Sequence, residues 1–275
     1  MSRCNFVFLV LLTVSNIQAQ SIAQPYSFSA GLDISKPTFQ TSGSDEGISH
    51  SSVFGYLRSR IAFKSLSISL ALPFSHYEFK DPGARFGGLA AHSTFGNLGL
   101  DFTYTNHISA FWYKTSIRFK LPTMPNPDYP REWGFLAGFV ADIENRDSYA
   151  QENFSYGAHV RGGVYVNQNL EFDIALGINN WTHVGDFDEI QDQLYILHSV
   201  NITVRSEYLN SFSRVKGSYK ISDDSYPLNL KDDVTQIETG FIKEMSRFQI
   251  LLSISTPLNY DFVRHSIKFG INYEL

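Results

Sequence analysis

Leu66-Ser67-Ile68-Ser69-Leu70-Ala71-Leu72-Pro73-Phe74-Ser75 places a large apolar side chain at every second position and a smaller residue between. Successive side chains of a β-strand point to opposite faces, so this period of two makes one apolar face and one small, polar face. The same alternation returns in Leu98, Leu100, Phe102 and Tyr104 against Gly99, Asp101, Thr103 and Thr105. Phe111, Tyr113, Ile117, Phe119 and Leu121 then oppose Trp112, Lys114, Ser116, Arg118 and Lys120. Leu170, Phe172, Ile174, Leu176 and Ile178 oppose Glu171, Asp173, Ala175, Gly177 and Asn179. The chain ends on Ile267, Phe269, Ile271, Tyr273 and Leu275 against Ser266, Lys268, Gly270, Asn272 and Glu274. No stretch of comparable length reads as a helix. The chain is all-β.

These runs cover about 10 to 14 residues, against roughly 5–6 for strands of globular sheets. A transmembrane β-strand needs about 9–11 residues tilted by roughly 45°. Composition agrees with a β-rich membrane protein. Of 275 residues, 43% are hydrophobic, 15% aromatic and only 18% charged, with 23 Phe and 15 Tyr against 3 Met. Charged content lies below the roughly 25% of soluble domains. A net charge of −5 argues against a nucleic-acid partner, which calls for a basic surplus. Mean hydropathy of −0.15 excludes a bundle of membrane helices.

Three features separate a membrane barrel from a secreted β-sandwich, the alternative that periodicity alone leaves open. The first is the N-terminus. Arg3 precedes the apolar run Phe6–Leu12, and Ser15-Asn16-Ile17-Gln18-Ala19 follows, the form of a secretory signal peptide. Cleavage after Ala19 would leave a single domain, residues 20–275, with 21 basic and 27 acidic residues. The single cysteine, Cys4, precedes the apolar core and would leave with it, so the mature chain has no disulfide or thiolate chemistry. The second feature is loop length. Short links fall at Lys64-Ser65, Asn106-His107, Asn167-Gln168-Asn169, Asn210-Ser211 and Ser246-Arg247, and long polar ones at 40–50, 80–95, 122–133, 182–192 and 222–233. Short periplasmic turns alternating with longer outer loops is the outer-membrane arrangement. The third is the C-terminal alternation running to Leu275, which resembles the β-signal read by the bacterial barrel-assembly machinery. It ends in Leu where Phe or Trp is usual.

The expectation is therefore an antiparallel transmembrane β-barrel in the bacterial outer membrane, among its lipids and lipopolysaccharide. About thirteen apolar-alternating runs can be found, while single-chain bacterial barrels carry an even strand number. The reading settles on about 12 strands, within 10–14. The parity problem is placed between Lys120 and Phe154: either a strand hides near Asp147–Asn153, or two runs form one bent strand.

In a barrel the non-apolar face lines the lumen, because a charge facing lipid costs about 2–4 kcal/mol at the midplane. This face carries Arg58, Arg60, Asp101, Lys114, Arg118 and Lys120. Further along it carries His159, Arg161, Glu171, Asp173 and Arg205, then Lys216, Glu238 and Lys268. Mixed signs suit ion pairs across the lumen as well as a polar path. Single-sign rings are what charge-selective pores use.

Residues 68–123 carry a family resemblance. Ile68–Ser75 is an apolar strand ending in Pro plus an aromatic, Phe95-Gly96-Asn97-Leu98-Gly99-Leu100-Asp101 opens the next strand, and Ile117–Lys120-Leu121-Pro122-Thr123 closes the hairpin. This resembles the MetA-pathway phenol-degradation family of outer-membrane transporters, with Asn97 in place of its Asp and Met124 in place of its Gly. The resemblance implies passage or binding of a small solute, apolar and aromatic ones included, and brings no catalytic residue and no cofactor. Pro73, Pro122, Gly96 and Gly99 also suit strand ends and close backbone approach. Phe86, Phe95, Trp112, Tyr129 and Trp133 read as interfacial girdle residues.

His50-Ser51-Ser52, His92-Ser93 and His198-Ser199 invite comparison with hydrolases, but strand neighbours face opposite ways. No Gly-x-Ser-x-Gly or His-Glu-x-x-His motif is present. The acidic run Asp186–Asp192 lacks the spacing and central Gly of a calcium loop. The sequence thus reads as a non-enzymatic barrel, either a passive channel or carrier, or a closed barrel acting structurally, adhesively or as a receptor through its loops.

Overall fold

Apart from one broken strand, each alternating run pairs with the next in sequence, because an antiparallel neighbour joined by a turn or loop is the nearest partner. The computed structural model describes residues 26–39, 49–80, 89–123, 138, 141–142, 144–150, 153–184, 192–222, 233–259 and 263–275. The expected signal peptide, 1–19, lies outside the described residues. The strands are β1 (Tyr26–Phe39), β2 (Ser49–Phe63), β3 (Leu66–Lys80), β4 (Leu89–Phe95), β5 (Leu98–Ile108), β6 (Phe111–Leu121) and β7 (Asn153–Asn167). They continue as β8 (Leu170–His183), β9 (Gln193–Val204), β10 (Asn210–Lys220), β11 (Val234–Met245), β12 (Phe248–Pro257) and β13 (Val263–Glu274). β1 pairs with β13, Ile34 opposite Phe269, so the sheet closes on itself.

Thirteen strands make a barrel of twelve staves. β3 pairs along its first half with β5, Leu66 opposite Tyr104 and Ala71 opposite Gly99. Along its second half it pairs with β4, Phe74 opposite Phe95. β4 and β5 run in the same direction and occupy one stave, broken at Gly96-Asn97. The even parity is restored there rather than between Lys120 and Phe154. No strand forms at 147–150; Arg146–Tyr149 is a single 3-10 turn. The reading of 80–95 as loop is corrected at its end, since Leu89–Phe95 is β4. Two turns also move. β5 runs on through Asn106-His107 to turn at Ser109-Ala110, and Arg205–Leu209 precede β10, so Asn210-Ser211 lie in the strand. Lys64 and Ser109 open their two-residue turns with φ of 52° and 56°, the left-handed region that tight hairpins demand.

The faces sort as a membrane barrel requires. Ile68, Phe102, Ile117, Ile174, Val200 and Phe269 are exposed on the outer surface. Among the described residues, Ser67, Thr103, Lys120, Asp173, Asn201 and Glu238 are buried inside. An apolar belt around a closed, polar-centred barrel is the build of a bacterial outer-membrane protein, which crosses the bilayer with strands. All five short turns fall at one end together with Tyr26 and Leu275, so that end is periplasmic by the turn-length rule.

Candidate functional site: the lumen and its inserted loop

Inward positions alternate with lipid-facing ones, so the lumen chemistry is set by every second residue. On β2, Arg58 pairs with Asp33 of β1 at 3.2 Å and lies over the Tyr56 ring at 4.9 Å. Lys268 of β13 reaches the same Asp33 at 3.8 Å. Arg118 of β6 pairs with Asp101 of β5 directly across the strand gap at 2.8 Å. Arg161 of β7 grips Asp173 of β8 with two nitrogens, at 2.7 and 2.9 Å, and Asn201 adds an amide at 2.8 Å.

Near the periplasmic end Glu171 binds Arg205 at 2.6 Å and accepts the Trp112 indole N–H at 2.9 Å. Trp112 therefore points inward, against Gly163, and does not join an interfacial girdle. The reason is its register: it shares a face with Lys114, Ser116 and Arg118. Phe95 is exposed. Phe86, Tyr129, Trp133 and the acidic run up to residue 191 lie outside the described residues. His198 is exposed while Ser199 is buried, so that pair diverges across the sheet.

Sequence reasoning missed what crosses the lumen. Between β6 and β7 the described residues 141–142 and 144–150 leave the wall and pass inward. Tyr56 donates to Asp142 at 2.7 Å, and Arg118 donates to the Asn145 side chain at 3.0 Å. Glu144 meets Arg214 at 3.4 Å and Lys216 at 3.3 Å, both on β10. Glu238 of β11 completes the cluster at 2.6 Å from Arg214 and 3.0 Å from Lys216. Two carboxylates thus meet two cations, and Ser253 donates to Glu238 at 2.8 Å. The available signal was the run Asp142–Asp147, four of whose six residues are charged inside a segment without strand alternation.

The root of this loop is stitched into the wall at the broken stave. Asn97 is fully buried; its backbone N–H donates to Ser148 O at 2.7 Å. Its side-chain amide donates to the carbonyls of Asp147 at 2.9 Å, Ala150 at 2.6 Å and Asn153 at 3.3 Å. Gly96 allows this approach, since a Cβ there would lie 2.1 Å from Ser148 O. Asp147 accepts from Ser155 at 2.5 Å and Asn179 at 2.9 Å. Tyr149 stacks edge-on against Phe54 and Tyr56 and donates to Gly55 O at 3.1 Å. Burial pushes its phenol well above the ordinary value, so it stays a neutral donor.

Burial alone would raise the Glu144 carboxyl, but Arg214 and Lys216 outweigh it and bring the group from 4.5 to about 2. A carboxyl lowered on docking contributes fully above its ordinary value and loses that contribution as pH falls through the lowered one. Conductance of the barrel is therefore expected to be flat from neutral pH to about 4.5 and to rise as pH falls towards about 2. Planar-bilayer recordings across this range check it. A step near pH 7 would show that another group holds the loop.

Two cavities remain around the loop. One, of about 350 Å³, touches Asp142, Glu144 and the walls at Arg161 and Lys216. The other, of about 430 Å³, fills the periplasmic half between Arg60, Ser69 and Asn272. Both are bordered by Arg58, Lys114, Arg118 and Lys268, so they adjoin across these side chains. His159 borders the first and Lys120 the second, whereas Glu171, Asp173 and Arg205 border neither.

No family model matches the sequence. No curated protein is similar to it by sequence. The fold, however, is shared. An outer-membrane channel from Pseudomonas putida superposes with a TM-score of 0.65 at 9% identity, over 94% of this chain and 98% of that one. The NanC porin gives 0.54 at 9% identity, over 89% and 100%. The translocator domain of the autotransporter NalP from Neisseria meningitidis gives 0.51 at 11%, over 98% and 95%. At such identities the likeness is one of architecture, and this architecture serves channels and translocators alike.

Proposed function

We propose that this protein is a passive outer-membrane channel for small solutes, narrowed at mid-height by the loop that crosses its lumen. The observation that carries the reading is a polar lumen with two adjoining cavities, both bordered by Arg58, Lys114, Arg118 and Lys268. A lumen meant only to stiffen a barrel would be filled by interdigitated side chains, as in small barrels. The similar fold of an outer-membrane channel supports the same reading. The apolar or aromatic solute implied by the family resemblance would have to pass these charged walls; the lining favours hydrophilic solutes.

The loop supports a second reading, a closed barrel acting through its outer surface, because its cross-lumen ion pairs resist displacement. In either case the proposed partners are outer-membrane lipids, lipopolysaccharide and the barrel-assembly machinery, the last on the alternation ending in Leu275. The deciding experiment is single-channel recording of residues 20–275, refolded and checked by heat-shifted gel mobility. Reproducible current steps are expected. A folded, inserted and silent barrel would overturn the channel reading in favour of the closed one.

A further inference from the structure

The chain as a whole is acidic, with a net charge of −5, yet its lumen is not. Six cationic residues and only two carboxylates, Asp33 and Asp101, border the periplasmic cavity. Both carboxylates are already engaged, Asp33 by Arg58 and Lys268, Asp101 by Arg118. Arg60 and Lys114 have no carboxylate partner among the described residues. Lys114 also sits directly opposite Arg161 on β7, a like-charge pairing that weakens a sheet. The charges of Arg60, Arg161 and Arg118 all act on Lys114, with Asp101 as the opposing charge.

The placement of these cations has a shape. Arg58 and Arg60 form one column on β2, and Lys114 and Arg118 form another on β6. Between them β3 presents the small residues Ser67, Ser69 and Ala71, while β5 presents Asp101, Thr103 and Gly99, with the Lys120 side chain lying over Gly99. Three strand spacings separate the columns, about 14 Å along the wall, a gap that two long side chains reach across from either side. The result is a shallow groove, cationic on both banks, in a water-filled space with low-dielectric walls that strengthen its field.

We propose that this groove is a binding site for small polyanions bearing two or more carboxylate or phosphate groups, and that it makes the lumen anion-selective. This rests on the channel reading for the selectivity, while the site itself stands without it. An anion seated there neutralises Arg60 and Lys114, which have no carboxylate partner among the described residues. The paired Asp33 and Asp101 hold Arg58, Lys268 and Arg118 in place, so the groove is formed before the anion arrives.

The test uses the full mature chain in two measurements, with Arg60→Gln/Lys114→Gln as the variant and Lys243→Gln, half-buried beside Tyr208 and away from the groove, as control. In bilayers under a potassium chloride gradient, the reversal potential of the native barrel is expected to show chloride preferred severalfold over potassium. The double variant should bring that ratio close to one, and the control should leave it unchanged. Conduction without anion preference, or a preference indifferent to the double variant, would overturn the proposal and leave the channel reading standing.

In detergent at low salt, calorimetry with citrate as the probe is expected to show binding that weakens roughly tenfold in the double variant and declines with ionic strength. A silent barrel that binds citrate in this way would sink the channel reading and keep the site. No citrate binding, or equal binding by both forms, would remove the site. If the double variant fails to fold, Lys114→Gln alone carries the same comparisons.

Discussion

Replacing Asp142, Glu144 and Asn145 together with alanine is expected to raise the single-channel conductance severalfold while leaving the barrel folded. These three side chains are the tip's polar holds on the opposite walls: Asp142 on Tyr56, Glu144 on Arg214 and Lys216, and Asn145 on Arg118. The root of the loop keeps its own attachments through Asp147, Tyr149 and Asn97, so the wall does not lose its seam. Current through a pore is limited by its narrowest section, and the tip occupies the space where the two cavities meet. Removing Glu144 also leaves Arg214 and Lys216 sharing Glu238 alone, which adds fixed positive charge at the constriction.

Conductance is the readout, with heat-shifted mobility as the folding check. An isosteric variant, Asp142→Asn/Glu144→Gln, separates charge from volume: a rise in both variants assigns the closure to ion pairing. A folded alanine variant with unchanged conductance would show that the tip does not limit the current.

The second large effect concerns Asn97, where Asp is expected to be worse than Ala. The Asn97 amide faces three carbonyl oxygens in a site closed to water. Alanine removes the donor and leaves buried acceptors unsatisfied, about 1–3 kcal/mol for such a group. Aspartate removes the same donor and adds an acceptor aimed at acceptors, with a charge to be desolvated in a buried place, a larger cost. The unfolding temperature of the refolded barrel should therefore fall in the order native, Asn97→Ala, Asn97→Asp. Equal stability of the two variants would show that the amide's donors are not what secures the seam. The position is also where this chain departs from the family motif it resembles, in which an Asp stands. With a carboxylate, the carbonyls of residues 147, 150 and 153 could not be held as they are here.

The period-two signal made the walls legible because each lipid-facing charge would cost more than local propensity can offset. Leu66, Leu98, Phe111 and Leu170 open strands in the sequence and open them in the structure. The ends were less legible. Asn106-His107 looks like a turn by composition, yet β5 runs through it and the chain turns at Ser109, whose left-handed backbone no composition rule announced. The break at Gly96-Asn97 was invisible because Leu89–Phe95 lacks a large apolar residue at every second position and reads as loop; only its pairing shows that it lies along β3 together with β5.

For the lumen, alternation told which charges point inward and nothing about which of them meet. Asp101 and Arg118 face each other because of their register, while Lys114 and Arg161 do so without a carboxylate between them. The inserted loop was hidden for a different reason. Its residues satisfy their backbone with side chains distant in sequence, such as Gln236 for Ala141 and Asn97 for Asp147, and no local pattern encodes contacts of that kind.

Those distant contacts also impose an order in time. Tyr149 reaches back to Gly55, 94 residues away, and Glu144 reaches forward to Lys216, 72 residues away. The Ala141 contact waits on Gln236 of β11. The last two cannot exist until β10 and β11 stand around the same axis as the earlier strands. The tip of the crossing segment therefore locks only once β10 and β11 are in place. During insertion the bore is at its widest, and resistance of residues 141–150 to a protease added from within would mark the moment at which the barrel is complete.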